Sequence, residues 1–269
     1  MRRGSLLPLA AVAPRSNVGG KAFALGEMLR AGFKIPNGFV LIAPFPAALT
    51  TLEKEILANF DQLRSQYVAV RSSAIGEDGI HATWAGQLDS FLNVDREHLL
   101  HYIQKCQSSA HSERAESYAK QHGIDSGSVA VIVQAMIQSE VSGVAFSTHP
   151  VTKNKNHIVI EATFGLGEAL VSGEVTPDRY VAHKHSGKIV ETQRSAQSKK
   201  LVQGPKGTSV WQPLSEAVNI PKLQDKHVIE LAALIYRLEE FYGFPVDVEW
   251  GFLNQQFYIL QSRPITTLS

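Results

Sequence analysis

Apolar residues recur at helical spacing in four parts of the chain, and at period two through most of the remainder. In residues 19–31, Ala22, Phe23, Leu25, Met28 and Leu29 follow the helical rhythm, and Gly32 suits the left-handed residue that commonly ends a helix. Residues 225–242 carry the clearest stripe: Val228, Leu231, Ala232, Leu234, Ile235, Leu238 and Phe241, stopped by Gly243 and Pro245. Two more polar stretches, 49–66 and 95–122, also read as helical, the second interrupted near Ser108-Ser109 and ended at Gly123. Strands are expected at 39–43, 67–71, 129–136, 141–147, 157–161, 179–184 and 188–192. Residues 197–212, rich in Ser, Lys, Gly and Gln, read as a mobile loop. The pattern is α+β in two lobes, a first of residues 1–133 and a second of 134–269.

The last two strand candidates are the most informative. Val246-Asp247-Val248-Glu249-Trp250 and Tyr258-Ile259-Leu260-Gln261-Ser262-Arg263-Pro264 alternate apolar residues with groups able to hold a metal or a phosphate. With Asn254-Gln255-Gln256 as a three-residue loop, Glu249 falls opposite Gln261 and Asp247 opposite Arg263. One face then carries two carboxylates, an amide oxygen and a guanidinium, a set suited to a Mg²⁺-bound polyphosphate. The same alternation also describes a half-buried hairpin with a solvated polar face.

Composition narrows the alternatives. With 269 residues, 44% apolar and 19% charged, the chain has the make-up of an ordinary globular protein. A net charge of +1 offers no electrostatic case for nucleic acid or an acidic membrane. The single cysteine, Cys106, excludes an internal disulfide and a cysteine-based metal site, and its place in a helical stretch suggests packing. The apolar run after Met1-Arg2-Arg3 is short and contains Pro8, unlike a secretory leader. A cytoplasmic protein without membrane spans is expected.

Other segments offer chemistry singly. Asn17-Val18-Gly19-Gly20-Lys21 precedes the first helix, where glycines admit an anion close to free N–H groups and Lys21 adds a cation; it lacks the spacing of a Walker A loop. Arg71-Ser72-Ser73 lies where a strand meets a loop, and Thr83-Trp84-Ala85-Gly86-Gln87 has the small residues of a loop that folds over phosphates. Glu161, Glu168, Glu174 and Asp178 punctuate a glycine-rich connection in which each acid has a structural or a ligand-binding reading. The ten histidines lack metal-ligand spacing, and His149 has no evident partner.

Taken in order, several of these segments resemble the nucleotide-binding domain of the phosphoenolpyruvate synthase and pyruvate phosphate dikinase family, which includes rifampin phosphotransferase. The matching text is Val18-Gly19-Gly20-Lys21-Ala22, Ile35-Pro36-Asn37-Gly38-Phe39, Val70-Arg71-Ser72-Ser73-Ala74 with Glu77-Asp78, and Trp84-Ala85-Gly86-Gln87. It continues through 141–147, Gly165-Leu166-Gly167-Glu168, Val175-Thr176-Pro177-Asp178 and the closing hairpin. The resemblance implies an ATP-grasp fold, two lobes closing over ATP and Mg²⁺. It implies that Lys21, Arg71 and Arg263 bind and stabilise phosphates, that Gly86 and Gln87 belong to the phosphate lid, and that Gln134 and Met136 lie at the adenine edge. Glu249 and Gln261 become the metal ligands, and Asp247 a supporting acid.

The family's chemistry passes a phosphoryl group from ATP to a histidine in another domain, releasing AMP and phosphate overall. No Gly-Gly-x-x-Ser/Thr/Cys-His segment occurs in these residues, so the expected partner is a phosphohistidine-domain or acceptor-domain protein. Two alternatives stay open: a self-contained ATP-grasp kinase or ligase acting on a small acceptor, and a nucleotide-binding regulatory subunit without catalysis.

Overall fold

The first sheet is assembled from strands far apart in sequence. The chain runs β1 (Leu6–Pro8), α1 (Gly19–Arg30), β2 (Gly38–Leu41), α2 (Glu53–Gln62), β3 (Val68–Ala74), β4 (Ser90–Val94), α3 (Leu99–Ser109) and β5 (Val129–Ala135). The strands lie in the order β1-β2-β5-β3-β4, every pairing antiparallel. The computed structural model describes residues 6–14, 16–42, 52–74, 89–109, 112–113, 117, 129–218 and 220–265.

One face of this sheet buries Phe39, Leu41, Val68, Val70, Val131 and Val133 with Ile56 and Phe60 of α2 and Leu99, Ile103 and Cys106 of α3. Cys106 therefore packs, as its position suggested, and burial pushes its thiol up to about 12. The other face receives α1. Gly19 has φ +76°, and a Cβ there would meet the Ser73 carbonyl at 2.4 Å, so only glycine lets the helix start this close to β3. The Ser73 hydroxyl accepts the Ala22 N–H at 3.1 Å and supplies the acceptor that the uncapped helix start lacks. At the far end, Gly32 takes the left-handed conformation (φ +81°). Its N–H and that of Phe33 reach back to Leu29 and Met28 in a Schellman arrangement.

The remaining elements are β6 (Val141–Phe146), β7 (His157–Phe164), α4 (Glu168–Val171), β8 (Asp178–His183), β9 (Ile189–Gln193), β10 (Gln197–Gln203), β11 (Ser209–Val218), α5 (Asp225–Tyr242), β12 (Val246–Leu253) and β13 (Gln256–Pro264). Six form an antiparallel sheet in the order β13-β12-β6-β7-β8-β9, and β10 pairs with β11. α5 matches its sequence stripe from Val228 to Leu238, with Val228, Leu231, Ile235 and Leu238 fully buried and Gly243 left-handed at its end, but Phe241, expected in the stripe, is 44% exposed in the last turn. It covers the sheet face that holds Val246, Val248, Trp250 and Phe252, since its His227 ring lies 4.7 Å from that of Phe252. Each such aliphatic side chain contributes about 2 kcal/mol of gross burial energy.

The chain divides into Met1–Met136 with Pro205–Thr208, and Ile137–Gly204 with Ser209–Ser269. The break follows Met136 rather than residue 133 because β5 runs on through Ala135. Ala135 and Met136 still donate their N–H groups to Asn37 and Tyr67, at 2.8 and 3.0 Å.

Residues 197–212 do not form a mobile loop but strands β10 and β11. Gln197 explains this: its Oε1 accepts from the Thr163 hydroxyl (3.1 Å) and the Phe164 N–H (3.0 Å), and its Nε2 donates to the Phe164 and Lys199 carbonyls. A buried amide with all its capacity used fixes a segment whose polar composition suggests mobility. Helix α2 covers Glu53–Gln62 and stops short of Gln66, while α3 ends at Ser109, where an interruption was expected. Glu113 and Ser117 are helical beyond it; apart from these and Ser112, residues 110–122 lie outside the described residues. The α+β class expected from the sequence holds. Among the described residues no helix is long and apolar enough to cross a membrane.

Gly143 limits how closely β6 sits against its neighbours. A Cβ there would lie 1.8 Å from the Glu161 carbonyl and 2.9 Å from the Trp250 ring. Gly143→Ala is expected to lower unfolding stability by about 3 kcal/mol, read from the urea midpoint at constant m-value. A change within about 0.5 kcal/mol would contradict this packing.

Candidate functional site

Glu249 stands opposite Gln261, and Asp247 opposite Arg263, in the β12–β13 register. The route to that register differs from the expected three-residue loop. Leu253 pairs with Gln256, so Asn254 and Gln255 form a two-residue turn, both with positive φ (50° and 59°), as the twist of a tight hairpin favours. A bulge then places Leu260 outside the pairing, between Ile259 and Gln261. Shorter turn and extra residue offset each other, and the four polar side chains arrive on one face as the alternation implied.

Arg263 is held firmly. Its Nε and Nη2 lie 2.8 and 2.7 Å from Asp247 Oδ2, with the Asp247 side chain 12% exposed and that of Arg263 37%. Burial raises the Asp247 carboxyl above its ordinary value, Arg263 opposes that shift, and the nearby Glu249 charge adds to it.

The register carries the same face across the sheet. Glu249 pairs with Val144, Val144 with Glu161, and Glu161 with Arg179. Glu161 thus joins the polar row two strands away from Glu249. Burial raises its carboxyl too; Arg179 counters and Asp247 reinforces the shift. In sequence Glu161 is one of four acids open to either role, and the structure sorts them. Asp178 is wholly buried against Lys222, with Oδ1 2.6 Å from Nζ, and Oδ2 takes the Lys222 N–H and the Tyr180 hydroxyl. Glu174 pairs with Lys199 at 3.2 Å, and Glu168 accepts from the Ser209 hydroxyl. Three acids thus bind their own chain, and Glu161 faces the Asp247–Glu249 row. Strand β7, which extends to Phe164 rather than ending at Glu161, was the missing signal.

His149, which had no evident partner in sequence, lies beside this row. Its Nε2 is 2.8 Å from Arg179 Nη2, and its Nδ1 is 3.2 Å from the N–H groups of Val151 and Thr152. Burial first, then Arg179 and His157, hold its pKa below the usual histidine range.

In the other unit, Lys21 follows the Gly19 turn on α1, whose start docks on Ser73. Arg71, two residues earlier on β3, shares that sheet face and pairs with Ile132, while Ala69 pairs with Gln134. Lys21, Arg71 and Gln134 therefore belong to the α1 side of one sheet. Gln134 is only 2% exposed, and its Nε2 donates to the Pro36 carbonyl at 3.3 Å. Met136, half-buried, closes this unit with its N–H on Tyr67. Gly86 and Gln87, and the Glu77-Asp78 and Trp84 matches, lie outside the described residues.

Among the described residues no three His, Cys, Asp or Glu side chains gather as a metal cage. Glu249 and Gln261 nevertheless suit Mg²⁺, a hard cation that takes few protein oxygens and completes its shell with water and phosphate. Carboxyls at 247 and 161, both raised by burial, are groups that a nearby cation would stabilise in their charged form.

One face of the antiparallel sheet thus carries carboxylates, an amide and an arginine in paired register. The family model described as pyruvate phosphate dikinase, AMP/ATP-binding domain matches residues 41–269, and the chain belongs to that family. It is similar to a probable phosphoenolpyruvate synthase of Methanocaldococcus jannaschii, 35% identical over 93% of this chain and 25% of that protein. It is also similar to the phosphoenolpyruvate synthase of Pyrococcus furiosus (39% identical, 80% of this chain, 28% of that one). The rifampicin phosphotransferase of Bacillus subtilis is 42% identical over 74% of this chain and 23% of its own length. The chain thus spans about a quarter of these relatives. Among solved structures, D-alanyl-alanine synthetase A from Vibrio cholerae aligns over 92% of this chain and 55% of its own at a TM-score of 0.45 and 11% identity, too weak to bear on function.

His149 gives a pH dependence with a definite sign. Its folded value is depressed, so its contribution to stability is present above about pH 6.5 and is lost as pH falls through the folded value. His149→Gln should lose less stability than wild type between pH 7 and pH 5 in urea titrations. Parallel pH profiles for the two proteins would contradict the assignment.

Proposed function

We propose that this chain is the Mg-ATP-binding catalytic module of a phosphotransferase. It passes an ATP phosphoryl group to a histidine on a separate domain or chain, with AMP and phosphate released overall. The observation that carries the reading is the paired register of Asp247–Arg263 and Glu249–Gln261 on one face, within a chain of the AMP/ATP-binding family. The names of the relatives, phosphoenolpyruvate synthase and rifampicin phosphotransferase, support the transferase class.

In this reading Glu249 and Gln261 hold Mg²⁺, and Asp247 keeps the Arg263 guanidinium aimed at a phosphate. Bound Mg²⁺ supplies charge neutralisation on the polyphosphate. Lys21, at a glycine-opened helix start, and Arg71 place further cations where charge develops as the phosphoryl group moves. Met136 contributes an apolar edge to the base, and Gly86 and Gln87 belong to the lid over the phosphates. Phosphoryl transfer needs little covalent chemistry from the protein, so positioning and fixed charge suffice for the task. The two units act as the lobes of an ATP-grasp fold, and the protein works in the cytoplasm.

Isothermal titration should show Mg-ATP binding that Glu249→Gln weakens at least tenfold, about 1.4 kcal/mol, with Arg71→Ala also weaker. Phosphorus NMR should show slow turnover by the chain alone, and AMP with phosphate once a phosphohistidine domain from a relative is added. Rapid AMP release without any partner would overturn the separate-histidine route. ADP as the product would instead support direct transfer to a small acceptor.

A further inference from the structure

The six-stranded sheet has a second chemically distinct place, on the side away from the Asp247–Glu249 row. A cavity of about 520 Å³ opens there, within the range of small-molecule pockets. Its floor is a register row one face removed from the nucleotide residues: Phe252 pairs with Val141, and Val141 with Phe164. Phe252 lies three residues from Glu249 on β12, Val141 three from Val144 on β6, and Phe164 three from Glu161 on β7. Each odd step turns the side chain to the opposite face.

The walls add directed polarity to that floor. His227 at the start of α5, 7% exposed, leans on the Phe252 ring and holds Gln255 Oε1 at 3.1 Å through Nε2. Two lysines line the cavity and differ in their commitments. Lys222 is consumed by Asp178 and the Ser195 carbonyl. Lys200, half-buried on β10, has no hydrogen-bond or ion-pair partner among the described residues. Its neighbour Lys199 points the other way, over the Trp211 ring at 4.0 Å and to Glu174. The acid at the rim, Glu140, accepts the Asn254 N–H at 3.4 Å and is exposed to water. The cavity therefore combines two aromatic rings, hydrogen-bonding groups at one end and one uncommitted cation.

We propose that this cavity binds a small planar organic anion, its ring against Phe164 and Phe252 and its charged group on Lys200. Desolvated aromatic walls reward a flat apolar body, and a partly buried ammonium rewards one negative charge at its edge. The site is separate from the nucleotide residues and does not rest on the reading of their function.

Phenyl phosphate and the neutral benzyl alcohol are suitable probes on the full chain, followed by ligand-observed NMR and isothermal titration. Phenyl phosphate should bind with saturating Mg-ATP present, and at least fivefold more tightly than benzyl alcohol. Lys200→Gln should weaken it fivefold or more, Leu214→Trp should block it by filling the cavity, and Lys199→Gln and Glu249→Gln should leave it unchanged. Failure to bind, binding indifferent to Lys200→Gln and Leu214→Trp, or displacement by Mg-ATP with loss in Glu249→Gln would overturn the proposal.

Discussion

Strand pairing at the closing hairpin governs the candidate site, because a shift of one residue between β12 and β13 would move every polar group there to the wrong face. The register is set twice. At the tip, Asn254 and Gln255 accept positive φ to make a two-residue turn; halfway along, the bulge at Leu260 takes up one residue on β13 alone. β12 itself is pinned on its other edge by β6, with Asp247 opposite Phe146 and Glu249 opposite Val144. Burial then makes slippage costly, because Val246, Val248 and Trp250 are fully enclosed. Trading them for Asp247 and Glu249 would place two carboxylates in the core under α5.

The same economy of placement runs through the rest of that unit. Asp178 and Lys222 form a fully buried pair, and each carboxylate oxygen has a further donor, Oδ1 in the Ser195 N–H and Oδ2 in the Tyr180 hydroxyl and the Lys222 N–H. A buried pair with its remaining hydrogen-bonding capacity used is far less costly than a bare one, and losing either partner strands the other. Lys184 spans to both carboxylate oxygens of Glu239 and ties the end of β8 to α5. With Gln197 clasping β7, these links hold the helix and the β10–β11 ribbon at fixed positions, so one sheet can present different chemistry on its two faces.

Helix α5 and the hairpin face were legible because each obeys a single period over many residues, 3.6 for Val228 to Leu238 and 2 for Val246 to Trp250. Gly32 and Gly243 were legible as helix ends for the same local reason, since only their backbone freedom is in question. What escaped depends on partners distant in sequence. Gln197 is an unremarkable polar residue until Thr163 and Phe164 lie beside it. Gln134 donates to the Pro36 carbonyl, nearly a hundred positions earlier. Glu161 looked no different from Glu168 and Glu174 because its role is set by which face of β7 it occupies, and the end of β7 carried no clear stop. The hairpin loop was misjudged by one residue and the register was not, because a bulge leaves no mark on alternation.

Electrostatics give the polar row its direction. Burial lifts the carboxyls of Asp247 and Glu161 above their ordinary range, and Asp247 feels Glu249 while Glu161 feels Asp247. Arg263 and Arg179 oppose these shifts, one at each end of the row. Acids that are buried, and to a lesser extent repelled by one another, hold their protons more tightly than in the unfolded chain, so their ionisation at neutral pH works against folding. A divalent cation beside Glu249 and Gln261 would reverse that term by favouring the charged forms, so binding and folding would be stabilised together. Such an arrangement is mildly unfavourable when ionised without a cation and would become favourable when one arrives. A purely structural face would more economically carry neutral residues.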